Sequence, residues 1–225
     1  MNTDEFDKPL LIFGATGGTG VELVRQAVAM GFAVNAFSRS ATKAADKLGG
    51  IAGQLQIIEG DASQPDDVER AFATSPVAVV TSLGIYQARE GGEDLTRATG
   101  NIVTAMHRHH VTRLVNISSL GVGNSYLQGN FVARLVQKTT LKHTLSDKEK
   151  QEQLLRESGL DVTNIRPSRL MNGSGPHAYA TWEGPQPDRK LVWAVNRSHV
   201  AEFALSCLND TNTFGKGYVI TGSKS

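Results

Sequence analysis

The sequence predicts an α/β fold built on a doubly wound parallel sheet. Short apolar runs alternate along the chain with longer amphipathic segments. A glycine-rich turn stands where the first run meets the first segment, and no internal repeat or low-complexity tract interrupts the alternation. Such alternation implies a parallel sheet covered on both faces, and right-handed crossovers leave a doubly wound, Rossmann-type topology as the economical solution.

Taken in order, the candidate strands are Leu10–Phe13, Ala33–Phe37, Leu55–Ile58, Val77–Thr81, Leu114–Ile117, Val162–Ile165 and Tyr218–Ile220. The candidate helices are Gly18–Met30, Thr42–Leu48, Pro65–Ala73, Glu93–His110, Ser146–Ser158 and Ser198–Leu208. In the fourth helix, Leu95, Thr99, Ile102 and Met106 recur at steps of three or four and mark a buried stripe. The stretch Ser168–Arg189 is rich in Gly and Pro and carries Tyr179 and Trp182, so it reads as one long irregular loop on the substrate side, a binding loop or a surface excursion. The 225 residues suit one domain spanning 1–225, with that loop at about 168–190.

Composition narrows the function classes. The net charge is +1 with 20% charged residues, which gives no electrostatic case for nucleic acid. The polar start MNTDEFDK does not read as a signal peptide, and no apolar run is long enough to span a bilayer. The single cysteine, Cys207, cannot form an internal disulfide, and its helical spacing with Val200, Ala204 and Leu208 predicts buried packing. A cytoplasmic location, no membrane partner and a monomer or small homo-oligomer are the expectations. The HRHH run at 107–110 lacks further ligands at metal spacing, so no metal is expected.

The chemistry starts at the turn, which reads GATGGTG over residues 14–20. Gly14 ends the first strand where the chain must reverse, Gly17 admits a ligand against the backbone, and Gly20 lets helix and strand pack closely. The helix that follows offers unpaired amides and the positive end of its dipole to a pyrophosphate, with Gly18 at its start and hydroxyls at Thr16 and Thr19. A dinucleotide is the expected cofactor. An NAD-binding chain usually has a carboxylate after the second strand, but here Ser38 and Arg39 occupy that place. A guanidinium flanked by hydroxyls suits a 2′-phosphate, so NADP(H) is expected.

These motifs resemble the atypical short-chain dehydrogenase/reductases. The likeness is carried by GATGGTG, Arg39, EGDASQPDDVERAF at 59–72, NISSLG at 116–121, LLRESGLDVTNIRPSRL at 154–170 and VNRSHVAEFAL at 195–205. Within that family the chain most resembles the NADPH-dependent flavin reductase/biliverdin IXβ reductase group, in an NmrA-like neighbourhood. The resemblance implies that Asp61 and Ala62 lie against the adenine. It also implies that Leu83, Gly84, Ser118, Pro167 and Ser168 line the cofactor, with Ser119, Lys148 and Arg169 as the catalytic set.

Two departures bear on mechanism. Typical members carry Tyr-x-x-x-Lys, but four residues before Lys148 stands Thr144, a much weaker acid than a phenol. Arg169 holds a position where the flavin reductase group has histidine, and an arginine cannot give up its proton. The expected activity is therefore hydride transfer from NADPH to a conjugated small-molecule acceptor, a flavin such as FMN, a quinone-like compound or a linear tetrapyrrole. The alternative is an NADP(H)-binding sensor or assembly factor without turnover. Lys148 has a second reading as well, because SDKEKQEQ could be a solvated helix face.

Overall fold

The computed structural model describes residues 8–84, 94–126, 128–129, 142–173, 175, 177–188 and 191–223. Of the sequence expectations, the acidic start over residues 1–7, Glu93 and Arg189 lie outside the described residues.

The first strand, β1 (Leu10–Phe13), is wholly buried and leads through the glycine turn into α1 (Gly18–Ala29). There follow β2 (Val34–Ser38), α2 (Ala41–Leu48), β3 (Leu55–Glu59), α3 (Pro65–Phe72), β4 (Ala78–Thr81), α4 (Asp94–Arg108) and β5 (Arg113–Ile117). A short 3-10 turn at Gly123–Ser125 precedes α5 (Lys142–Glu157) and β6 (Asp161–Pro167). The last part holds β7 (Arg169–Met171), β8 (Ala178–Glu183), β9 (Leu191–Val192), β10 (Ala194–Asn196), α6 (Arg197–Ser206) and β11 (Lys216–Ser223).

The main sheet runs β3-β2-β1-β4-β5-β6-β11-β8, and β9 also pairs with β11. Every pairing from β3 to β11 is parallel, and β8 and β9 add antiparallel to β11. The order reverses at β1, which places a crevice between β1 and β4 at the carboxyl edge, where open α/β sheets bind ligands. Alternation along the strands feeds two cores. Leu10 and Ile12 face Leu23, Val24 and Ala27 of α1, together with Val200 and Ala204 of α6. Leu11 and Phe13 face Val68 and Phe72 of α3, Ile102 and Met106 of α4, and Leu155 of α5. The stripe read from Leu95, Thr99, Ile102 and Met106 is buried throughout.

One expectation is corrected. The stretch 168–189 is not a long irregular loop, because it contains β7 and β8. Strand β7 pairs with β10 in a separate two-stranded sheet, and β8 zips along β11 from Tyr218↔Glu183 to Ser223↔Ala178. Tyr179 and Trp182 consequently do not sit on a free lid. Tyr179 packs in a tilted contact with His199 at 5.2 Å between ring centroids and donates to Glu202, while Trp182 makes an edge contact with Trp193 and donates to Gln128. Helix α5 also begins at Lys142, four residues before the expected start, so Thr144 lies in its first turn.

Candidate functional site: a cradle at the carboxyl edge

Gly14 adopts φ +77°, and a Cβ there would meet the Ser82 carbonyl oxygen at 2.4 Å. The turn can cross so close to the end of β4 only without a side chain. At Gly20 a Cβ would lie 2.1 Å from the Gly14 carbonyl oxygen, so the start of α1 packs directly on the end of β1. Gly17 caps α1 in extended backbone and supplies no side chain to its amides, and the first turn holds no acidic residue. The amides of Gly18, Thr19 and Gly20 precede the first intrahelical bond, Val21 N–H to the Gly17 carbonyl, and are left for an anion. Thr19 is buried, leaving Thr16 as the more accessible hydroxyl.

On one flank of this turn, Ser40 caps α2 and accepts from the Lys43 amide. Ser38 is buried, and its hydroxyl is tied into the turn by bonds with Ser40, whereas Arg39 is exposed and takes part in none of the ion pairs among the described residues. A carboxylate stands nearby as well, since Glu59 accepts from the Ala41 amide at 3.1 Å. Asp61 uses one oxygen to accept from the Ser63 amide, and Ala62 is buried, its carbonyl held by Asn101.

Ser118 is the clearest polar vacancy in the hydrogen bonding of this edge. It directly follows β5, it is 7% exposed, and its hydroxyl is buried with no partner among the described residues. Its neighbour Ser119 is half-buried and donates to the Leu120 carbonyl. Lys148 converges on the same edge. It is 6% exposed, and its ammonium donates to the Leu83 carbonyl at 2.8 Å, the Ile117 carbonyl at 2.9 Å and Gln151 at 3.1 Å. Burial pushes its pKa down to about 8, against a smaller upward pull from Glu152. The reading of Lys148 as part of a solvated face is therefore corrected: two of its three donors tie together the ends of β4 and β5, and the third is held by Gln151 of its own helix.

Glu152, one turn further along α5, is fully buried and grips Arg166 with both oxygens, at 3.0 and 2.6 Å. Arg166 also donates to Asn124, and Glu149 accepts from the Gly123 amide at 2.7 Å. The segment that follows Ser119 is thus pinned to α5 by two carboxylates.

The remaining expected residues divide. Gly84 is exposed with open space where a Cβ would stand, and Leu83 is partly buried with its carbonyl held by Lys148. Pro167 is buried and its carbonyl accepts from Leu120. Ser168 is also buried, with its hydroxyl engaged by Thr221 at 2.7 Å. Because Thr221 already donates to the Val192 carbonyl, Ser168 acts as the donor in that pair, a structural tie between β6 and β11. Arg169 is exposed on β7, apart from this buried network.

Two cations beside the turn have no counterpart in the sequence reading. Lys47 of α2 donates to the Thr16 carbonyl at 2.8 Å, and Arg197 at the start of α6 lies against Gly18. Lys47 belongs to no motif, and Arg197 lies within the VNRSHVAEFAL stretch without a role read for it there; the packing of α2 and α6 beside α1 brings both to the turn. Cys207, expected as packing, is 1% exposed, and burial pushes its thiol up to about 11.

A glycine cradle, an uncapped helix start, an exposed arginine after β2 and an orphaned serine hydroxyl together fit a dinucleotide lying across the carboxyl edge. Residues 14–211 match the family described as NAD(P)H-binding. An uncharacterized chloroplastic protein of Arabidopsis thaliana is 28% identical over 208 residues, covering 89% of this chain and 72% of that protein. The chloroplastic protein TIC 62 of Pisum sativum is 29% identical over 190 residues, covering 75% of this chain but 34% of its own length, so the chain spans about a third of that relative. Among solved structures, the anaerobillin reductase ChuY of Escherichia coli O157:H7 superposes with TM-score 0.79 at 23% identity, over 97% of this chain and 98% of the other. A short-chain dehydrogenase/reductase of Veillonella parvula in complex with NADP superposes with TM-score 0.75 at 20% identity, over 97% and 95%. Among the described residues, no helix is long and apolar enough to cross a membrane.

Proposed function

The chain belongs to the NAD(P)H-binding family, and from that premise we propose that it is an NADPH-dependent reductase that passes hydride to a conjugated acceptor. The observation that carries this reading is the buried Ser118 hydroxyl, without a partner among the described residues, beside the Lys148-held end of β5 and on the same sheet edge as the glycine cradle. When bound, the cofactor supplies the hydride. The preference for NADPH over NADH rests on Arg39, an exposed cation with no carboxylate partner among the described ion pairs, where a 2′-phosphate is to be held.

The side chains around the edge orient more than they titrate. Ser118 offers a hydroxyl with an unused hydrogen-bonding capacity, and Ser119 stands beside it. Lys148 spends all three donors on protein oxygens, so its part is to fix the edges of β4 and β5. With threonine at 144, the position four residues before Lys148 offers no phenol to protonate a carbonyl oxygen. A flavin, quinone or linear tetrapyrrole delocalises the incoming electron pair and takes its proton from solvent, so proximity and orientation suffice. The structural likeness to an anaerobillin reductase is compatible with a tetrapyrrole in this class. Arg169, exposed beyond β6, serves in this reading as a fixed positive charge for an anionic acceptor.

A second reading is favoured by one fact: the ammonium of Lys148 is closed off by protein oxygens and has no tyrosine partner among the described residues, as suits a protein that binds NADP(H) without turning it over. Steady-state NADPH oxidation with FMN, a water-soluble quinone and a linear tetrapyrrole separates the two. Saturable oxidation of NADPH with at least one acceptor supports the reductase. Tight NADPH binding with no oxidation by any of the three supports the sensor.

A further inference from the structure

Arg197 is the first residue of α6, and its side chain ends at the start of a different helix. A Cβ built on Gly18 would lie 2.7 Å from the Arg197 Nε and 2.8 Å from its Cδ. Gly18 is exposed and is the first residue of α1, so the guanidinium stands beside the amides that the Gly17 cap leaves unpaired. Its Nη1 donates to the Asn172 side-chain oxygen at 2.6 Å. None of the ion pairs among the described residues includes Arg197, and the one carboxylate within a turn on α1, Glu22, is engaged by Arg25.

This placement is electrostatically unfavourable as it stands. The amino end of a helix carries roughly half a positive charge, and a guanidinium beside it is repelled. Lys47, bonded to the Thr16 carbonyl from the opposite flank, adds a second cation to the same turn. An anion seated on the α1 amides turns both repulsions into attractions, and a diphosphate brings two charges to that spot.

We propose that Arg197 is a cofactor-binding residue that closes over the pyrophosphate of NAD(P)H from the α6 side. The proposal rests on the cofactor reading and adds to it a contact from the far end of the chain. It also gives the cofactor a link to the segment beyond β6. Asn172 accepts from Arg197, and the Gly175 amide donates to the Asn196 side chain at 3.0 Å, so the start of α6 holds Asn172 and Gly175 next to the phosphates.

The test uses Arg197→Met, which keeps an aliphatic stem against Gly18 and removes the charge, alongside Arg197→Lys. Titration calorimetry is run on the full chain with NADPH, with 2′-phospho-ADP-ribose, which carries the pyrophosphate, and with 2′-AMP, which lacks it. Arg197→Met is expected to weaken NADPH and 2′-phospho-ADP-ribose by about 10- to 150-fold, the range of one charge-assisted contact. Binding of 2′-AMP stays at the wild-type value, and Arg197→Lys recovers part of the loss. The deficit shrinks as salt rises, because the site is partly exposed. Arg197→Met that binds 2′-phospho-ADP-ribose like the wild type overturns the proposal while leaving the cofactor reading intact. An equal loss for 2′-AMP overturns it too, since that is the mark of a strut whose removal loosens the whole site. Wild-type protein that binds none of the three overturns the cofactor reading and the proposal together.

Discussion

Replacing Lys148 by Met should change the pH dependence of stability in a window that few other groups share. In the folded chain the ammonium is buried and its pKa falls from 10.5 to about 8. A lysine with a depressed folded pKa binds fewer protons folded than unfolded between those values, so stability rises with pH across that window. Below about pH 8 both states are protonated, and the folded state carries the full cost of the buried charge, about 3 kcal/mol. From pH 8 to pH 9 the relief amounts to about 1 kcal/mol. Cys207 acts in the opposite sense: burial raises its thiol from 9.0 to about 11, which offsets a smaller part of that gain over the same unit of pH. Arg113 is lowered only to about 10 and enters later. The absolute effect of Lys148→Met is less informative. It removes the buried charge but strands the Leu83 and Ile117 carbonyls and Gln151, at about 1–3 kcal/mol for each unsatisfied group. Urea unfolding at pH 7, 8 and 9 reads the slope directly. Wild type should gain about 1 kcal/mol more than Lys148→Met between pH 8 and 9. Parallel slopes for the two proteins would mean that Lys148 is solvated and does not tie β4 to β5.

Other outcomes test the cradle and the chemistry. Gly20→Ala places a Cβ against the Gly14 carbonyl and the Ala15 backbone, which cannot swing aside, so it should destabilise by about 1–3 kcal/mol and weaken NADPH by about tenfold or more. Gly50→Ala, with nothing within 4 Å, is the neutral control in the same unfolding and titration assays. Arg39→Ala should weaken NADPH by about 10- to 150-fold and leave NADH nearly unchanged, as read by fluorescence titration; equal losses for both would remove the 2′-phosphate from its assigned place. Thr144→Val should leave acceptor reduction close to wild type, since no proton donor is lost, and a large fall in kcat would show that the hydroxyl takes part.

The parts of the fold that were legible in the sequence are those set by local chemistry. Gly14 takes a positive φ and Gly20 meets a backbone carbonyl, so the turn announces itself by residue type. Buried strands such as Leu10–Phe13 appear as unbroken apolar runs for the same reason. What escaped reading depends on partners distant in the chain. Strand β8 lies in a Gly- and Pro-rich stretch and becomes a strand by pairing with β11, about forty residues later. Lys148 sits among charges and is buried because the ends of β4 and β5 offer it carbonyls. The spacing of Leu145, Lys148, Glu152 and Leu155 along one face of α5 was the available signal that those charges point inward. Lys47 left no such trace, and Arg197, although inside VNRSHVAEFAL, carried no sign of its role, since the packing of α2 and α6 around α1 sets both beside the turn.

The reductase account is tested most directly by anaerobic mixing of the NADPH-loaded protein with excess FMN, and with a quinone and a linear tetrapyrrole in turn, following nicotinamide and acceptor absorbance together. The account predicts that NADPH is consumed in step with one acceptor, one hydride for each acceptor reduced by two electrons, and that NADPH deuterated at the transferred position reacts more slowly. Bound NADPH that stays unoxidised in the presence of all three acceptors would contradict it.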